Sequence, residues 1–459
     1  MKLKHIQHLY WRAGFGILPE ELSALATLKK EKIIDNLFLN SKKLTPLKID
    51  TSELDVILNG DNRLSSRDRK RIQDLSRKKS LELNEAWILR LMNPSELLRE
   101  KMTLFWANIF VCEDNNTVYT QRYNNTLRRY ALGDFKEFVN AVSKEAAMTK
   151  YLNTKQNKKQ KPNENFAREL MELFTLGEGH YREEDIKESA KAFTGYSHNL
   201  KGDFVLRHFN HDDSIKYFFG KSGNFSGEDI IDIILEQKQC AKFICEKVYS
   251  YFVNDSLNQT HINQMADVFY GDYNIETLMR FVFSSDWFYN SENIGNKIKS
   301  PIEFLVGINK VVPINFNNYK SLISIQKQMG QVLLDPPNVA GWKAGRNWID
   351  SNTISFRLKL PSILLNDGYI SQARLGESDA MIVVRKEAFK KQLERKFKVQ
   401  NNWEIFHDNF EKIEVNDLGN YLLLCDLHSN TKRYLKTLSR VSKQEYCIQL
   451  MSLPEYQMC

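Results

Sequence analysis

Apolar residues recur at three- and four-residue steps over most of this 459-residue chain, the periodicity of helices that bury one face. Between Leu81 and Met92 apolar residues fall at Leu83, Trp87, Ile88 and Leu91, on a helical stripe; the spacing returns from Leu98 to Val111 at Leu98, Met102, Phe105, Trp106 and Ile109. Asn93-Pro94 breaks the two runs, which predicts an αα-hairpin. A further helix is predicted from Asn163 to Gly177: Asn163 stands at the N-cap, Glu164 complements the dipole, and Gly177 supplies the left-handed stop. The next, Glu183 to Thr194, buries Ile186, Ala190 and Phe193 and stops at Gly195. Helices are also predicted near 227–254, 259–271, 274–285, 301–310, 317–330, 384–398 and 430–453. Strand patterning is local: residues 204–209 and Tyr217-Phe218-Phe219 predict the arms of one small hairpin, with His211-Asp212-Asp213 in its loop. There is no internal repeat, and 366–382 is the one soft boundary before the C-terminal helices. The expected fold is all-α, a large single-core multi-helix domain over residues 1–459 with a small β-hairpin insertion near 203–220.

Composition narrows the class. With 42% hydrophobic and 27% charged residues the chain can build an ordinary globular core, and ten prolines and twenty glycines favour long helices over a turn-rich β architecture. No apolar run reaches the roughly 18 residues of a membrane span, and the start, Met1 to His8, lacks the apolar stretch of a signal peptide. Six cysteines without a C-x-x-C pair read as reduced thiols, with Cys240 and Cys245 as core. These features predict a cytoplasmic protein, with export alongside a partner left open. The net charge of +8 is uneven: Arg67 to Lys79 holds seven positive charges against Asp68 and Asp74, and residues 155–161 add four lysines. Neither run has interleaved aromatics for base stacking, so both read as solvated surface rather than a nucleic-acid interface.

The Asn163–Gly177 helix carries the densest candidate chemistry. Residues three and four apart share a helix face, so Glu164 can reach Arg168, Arg168 can reach Glu172, and Glu169 can reach Glu172. Two carboxylates held by a guanidinium can bind a metal, share a proton or anchor a polar ligand; the plain alternative is a set of surface ion pairs. Asn163 and Asn165 stand beside them as binding candidates. His211-Asp212 can act as base or metal ligand or be turn chemistry, and Lys216 and Gly220 behind them allow an anion contact. Residues 335–349 combine two prolines, two glycines and two tryptophans, which predicts a rigid aromatic wall from Asn338, Trp342 and Trp348. His8 and Arg12 lie four apart on one N-terminal helix face, with Arg12 a natural partner for Glu169 or Glu172. On this reading the motif helix, the His211 loop, the Trp342 loop and Arg12 converge on one polar site. No G-x-S-x-G, P-loop, Rossmann or H-E-x-x-H pattern is present.

These segments in this order, H-L-x-x-R-A-G-F-G from His8, R-E-K-M-x-L-F-W from Arg99, N-E-N-x-A-R-E-x-x-E-L-x-T-L-G from Asn163, the His211-Asp212 loop, P-P-N-V-x-G-W from Pro336, and Leu453 to Gln457, resemble the bacterial family of domain of unknown function 1800. The resemblance implies a mostly helical single unit. It also implies a partner, since genes of that family often neighbour those of the family of domain of unknown function 1501, whose members resemble sulfatases and alkaline phosphatases. The chain departs where relatives read F-W-H-x-H-F: Ala107 and Ile109 replace the two histidines, and any metal those histidines hold in relatives is lost here. Arg182 also replaces a threonine cap, offset by Glu183, Glu184 and Asp185 at the helix start, and Tyr196 stands where tryptophan is usual. The leading expectation is therefore a ligand- or partner-binding helical protein with a sulfatase-like partner. The alternatives are a hydrolase using Glu169 or Glu172 as base, with a divalent metal on Glu169, Glu172, His211 or Asp212, and nucleic-acid binding through residues 67–79.

Overall fold

The computed structural model describes residues 1–59, 64–366, 399–438 and 441–459, and over these the chain is mostly helical, with three small two-stranded sheets. The helix expected at 384–398, and all but the first residue of the 366–382 boundary, lie outside the described residues.

Both helices of the predicted αα-hairpin form, the first arm longer than the periodicity predicts. Ser66–Met92 is one helix, N-capped by the Ser65 hydroxyl on the Asp68 amide at 3.1 Å, and Arg67 to Lys79 is its solvated half. The second arm, Leu97–Trp106, is buried at every position from Leu98 to Trp106, not along one stripe. A helix buried all round has no water for its charges, so each must find a partner inside. Glu100 takes the Arg128 guanidinium on both oxygens at 2.6 and 3.1 Å, Arg99 donates to the carbonyls of Ser41 and Arg128 at 2.9 and 3.0 Å, and Lys101 pairs with Glu303.

Around this helix the apolar core forms two lobes. One holds the aromatic stack of Trp106, Phe110, Phe135 and Phe138, with ring centroids 4.8 to 6.1 Å apart, and the helices from 117 to 284. The other holds Trp87 and the helices Pro301–Val311, Tyr319–Met329, Ser351–Leu365 and Lys443–Met451. Leu97, Ala107 and Tyr421 pack against both.

Three expected elements come out differently. The span 227–254 is two helices, Gly227–Leu235 and Lys238–Phe252, and 430–453 is Ser429–Thr437 and Lys443–Met451, the latter opened by a Ser442 cap. The predicted hairpin arms do not pair with each other. Phe204–Leu206 pairs with Tyr196–His198 across a turn that Gly202 enters at φ +86°, and Lys216–Phe218 pairs with Lys221–Gly223 across Phe219-Gly220, both at positive φ. Tight local turns beat the pairing over a longer loop because they fix fewer residues for the same ladder bonds.

Candidate functional site

The Asn163 side chain accepts the Asn165 amide at 3.1 Å just ahead of the motif helix, whose regular α structure starts at Asn165 with Glu164, one residue later than expected, at the N-cap. At Leu170 the α-helix gives way to a π-helix that runs to Thr175 and ends at Gly177, which sits at φ +88°. Such i→i+5 turns recur at functional sites. Phe166, Ala167, Leu170, Met171 and Phe174 anchor the inner face, leaving Arg168, Glu169 and Glu172 half-buried at the edge.

The wider turn breaks the i, i+4 alignment of Arg168 with Glu172. Arg168 instead clamps Glu183, on the next helix, at 2.8 and 2.9 Å, with Glu164 at 3.7 Å. Glu172 accepts the Tyr181 hydroxyl at 2.7 Å. Glu169 has no hydrogen bond or ion pair among the described residues, and burial first, then the charge of Glu172, raises its carboxyl pKa, with Arg168 opposing. Behind it, the Tyr151 phenol is pushed up by burial and then by Cys112, Glu113 and Glu169. Glu113 is raised by burial and by Asp335 and Asp114, which puts these carboxylates, one of them on the Trp342 loop, within electrostatic reach of each other. Nothing in the sequence spacing marks Glu113, Tyr151 or Tyr181 as members of this edge.

The Trp342 loop is fastened by Asn108, whose side chain accepts the Trp342 amide at 2.7 Å and donates to its carbonyl at 3.1 Å. Gly341, at φ +75°, is required there because a Cβ would lie 2.4 Å from Asn108 Oδ1. Trp342 and Trp348 are both buried, while exposed Asn338 caps the Ala340 amide at 2.9 Å. Ala107 and Ile109, where relatives are expected to carry histidines, flank this tether.

The other candidates have partners elsewhere. His211 is buried and donates from Nδ1 to the Thr194 carbonyl at 2.8 Å; Asp212 accepts the Ser214 amide at 2.8 Å. The loop is laced to the segment before the motif helix through Lys159 N to Asn210 O at 2.9 Å and Gly195 N to Asn157 O at 3.0 Å. Lys216 is fully buried, and its ammonium donates to Asp212 O, Ser214 O and Asn224 Oδ1 at 2.7 to 3.0 Å, which leaves no donor for an outside anion. Asn165 donates to Leu152 O at 3.3 Å. Arg12 does not join the carboxylates: it is buried and donates to Asn293 O and Asn296 Oδ1, both at 3.0 Å. His8 is buried against the Phe288 ring at 4.6 Å and bonds the Phe288 carbonyl at 3.1 Å, and burial holds its pKa well below 6.5. Among the described residues, no group of three or more His, Cys, Asp or Glu side chains is placed to hold a metal ion.

Arg12 belongs instead to an ionic centre that periodicity does not reveal. It gathers Arg12, Lys101, Lys297, Lys299 and Arg357, all buried, around the buried carboxylate of Glu303. Lys299 lies 3.9 Å over the Trp11 ring and donates to Tyr456 O at 2.7 Å; Arg357 donates to Gln457 Oε1 at 2.9 Å and Lys299 O at 2.7 Å. The H-L-x-x-R-A-G-F-G, R-E-K-M and C-terminal segments meet here, as fastenings of the fold. A legible hint is Lys297-Ile298-Lys299-Ser300-Pro301, two lysines entering an apolar helix.

A family model described as "Protein of unknown function (DUF1800)" matches residues 8–458, nearly the whole chain. No curated protein and no solved structure matches it.

Proposed function

We propose, from the premise that the chain belongs to the DUF1800 family, that it is a binding protein whose Glu169–Glu172 edge receives a cationic group of a ligand or partner protein. The observation that carries this reading is Glu169, a half-buried carboxylate without a hydrogen bond or ion pair among the described residues, held beside a second carboxylate. An ammonium or guanidinium placed there would relieve the like-charge repulsion and recover the cost of burying Glu169. Glu113, Asp114 and Asp335 extend the same sign of charge toward the Trp342 loop, and among the described residues Asp114 alone of these has a cation, Lys150 at 2.6 Å. The sulfatase-like partner implied by the resemblance is the protein to offer first.

The test is calorimetric titration of the full chain with a tetralysine peptide at low and high salt. Binding that weakens with salt and at least tenfold in Glu169→Gln supports the reading; no heat above dilution, or equal affinity in the variant, rejects it. The raised pKa of Glu169 also favours a second reading, general acid–base catalysis by this carboxylate. A metal on Glu169, Glu172, His211 and Asp212 would take His211 through Nε2, the ring nitrogen left open while Nδ1 holds the Thr194 carbonyl, and Asp212 through the oxygen not bonded to Ser214.

A further inference from the structure

A cleft of about 800 Å³ opens at the seam of the two core lobes, away from the Glu169 edge and sharing no residue with it. Leu37 lines it from one lobe, Leu91 and Val306 from the other, with Leu97 touching both. The volume is that of a small-molecule pocket, and such pockets favour boundaries between packed units.

Two further features point to a ligand. Leu89 and Ile405, two of the large apolar side chains exposed among the described residues, at 45% and 40%, both stand on the cleft. Part of its polar lining is unengaged: the Tyr10 hydroxyl and the side-chain amides of Asn40, Asn93 and Asn409 make no hydrogen bond among the described residues, whereas Asn309 accepts the Ile314 amide at 2.9 Å. The charged groups, by contrast, cancel, since Lys310 pairs with Glu21 at 3.3 Å. Burial, then Glu21, raises the Tyr10 phenol to about 12, so it remains a donor at neutral pH.

We infer that this cleft is a binding site for an uncharged, largely apolar small molecule whose few hydrogen-bonding groups meet Tyr10 and the asparagine amides. An ionic ligand would have to break the Glu21–Lys310 pair, and a purely apolar one would leave the four polar groups without partners.

The test is a fluorescence titration of the full chain with Nile red, an uncharged apolar dye, in wild type, Leu89→Glu, Ile405→Glu and Glu169→Gln. The rim substitutions replace exposed side chains, so circular dichroism and melting should match wild type. Saturable binding of one dye per chain, at least tenfold weaker in each rim variant and unchanged in Glu169→Gln, is the expected result. Absence of saturable binding, or unchanged affinity in either rim variant, overturns the inference. Because Glu169→Gln is the variant that tests the carboxylate edge, failure of one site is distinguishable from failure of the other.

Discussion

Replacing Glu303 by Gln removes the buried carboxylate of the ionic centre while keeping its shape. Glu303 accepts the Ser300 amide at 2.7 Å, which caps Pro301–Val311, and pairs with Lys101 of the central helix. Lys101 would retain the Gly14 and Trp11 carbonyls at 2.9 and 3.4 Å, but no counter-charge. Breaking a buried pair from one side leaves an uncompensated charge and typically costs about 3–5 kcal/mol, far above the ~1 kcal/mol ceiling of an exposed pair. Lys101→Met alone should cost less than Glu303→Gln, because Lys297 also holds the Glu303 carboxyl well below its usual range, against burial. The double variant should then fall short of the summed single costs by roughly 1–3 kcal/mol, since neither charge is left alone. Urea unfolding followed by tryptophan fluorescence reads all three, with Trp11 in the centre as reporter. A loss below about 1 kcal/mol in Glu303→Gln, or strictly additive singles, would refute the assignment of this pair as a buried clasp.

The same centre predicts a pH dependence. Burial, partly offset by Glu303 and Cys459, lowers Lys297 to about 8 and Lys299 to about 7, both from 10.5. Between these values and 10.5 the unfolded chain binds more protons than the folded one, so stability should rise from pH 7 to about 8.5, before free thiols titrate, and Lys299→Met should flatten that rise in denaturant midpoints. For the carboxylate edge, carbon-detected NMR of labelled glutamate should show Glu169 titrating above the ordinary value of 4.5, and Glu172→Gln should bring it down; no change would sink the like-charge account. Gly195→Ala should destabilise by at least about 1–3 kcal/mol in thermal melts, because φ is +77° and the new Cβ would lie 2.7 Å from Arg207 O. Asn108→Ala leaves both backbone groups of Trp342 without their partner, so limited proteolysis should cut within 335–349 faster than in wild type.

The local rules carried far. Leu83, Trp87, Ile88 and Leu91, then Leu98, Met102, Phe105, Trp106 and Ile109, are buried as the periodicity predicts, and the Asn163 side-chain bond and Gly177 stop bracket the motif helix, because capping and amphipathic burial act within a few residues of chain. The family motifs are legible for the same reason, since each is a short continuous stretch of sequence. Tertiary structure decided what the charges do. Arg168 turned to Glu183 once the π-helix had broken its alignment with Glu172, Lys216 folded back onto carbonyls, and Arg12 joined Lys101 and Lys297 rather than Glu169. A buried charge takes whichever partner the packing brings within a few ångströms, and neighbours hundreds of residues away, as Lys101 and Glu303 are, leave no trace in spacing along the chain.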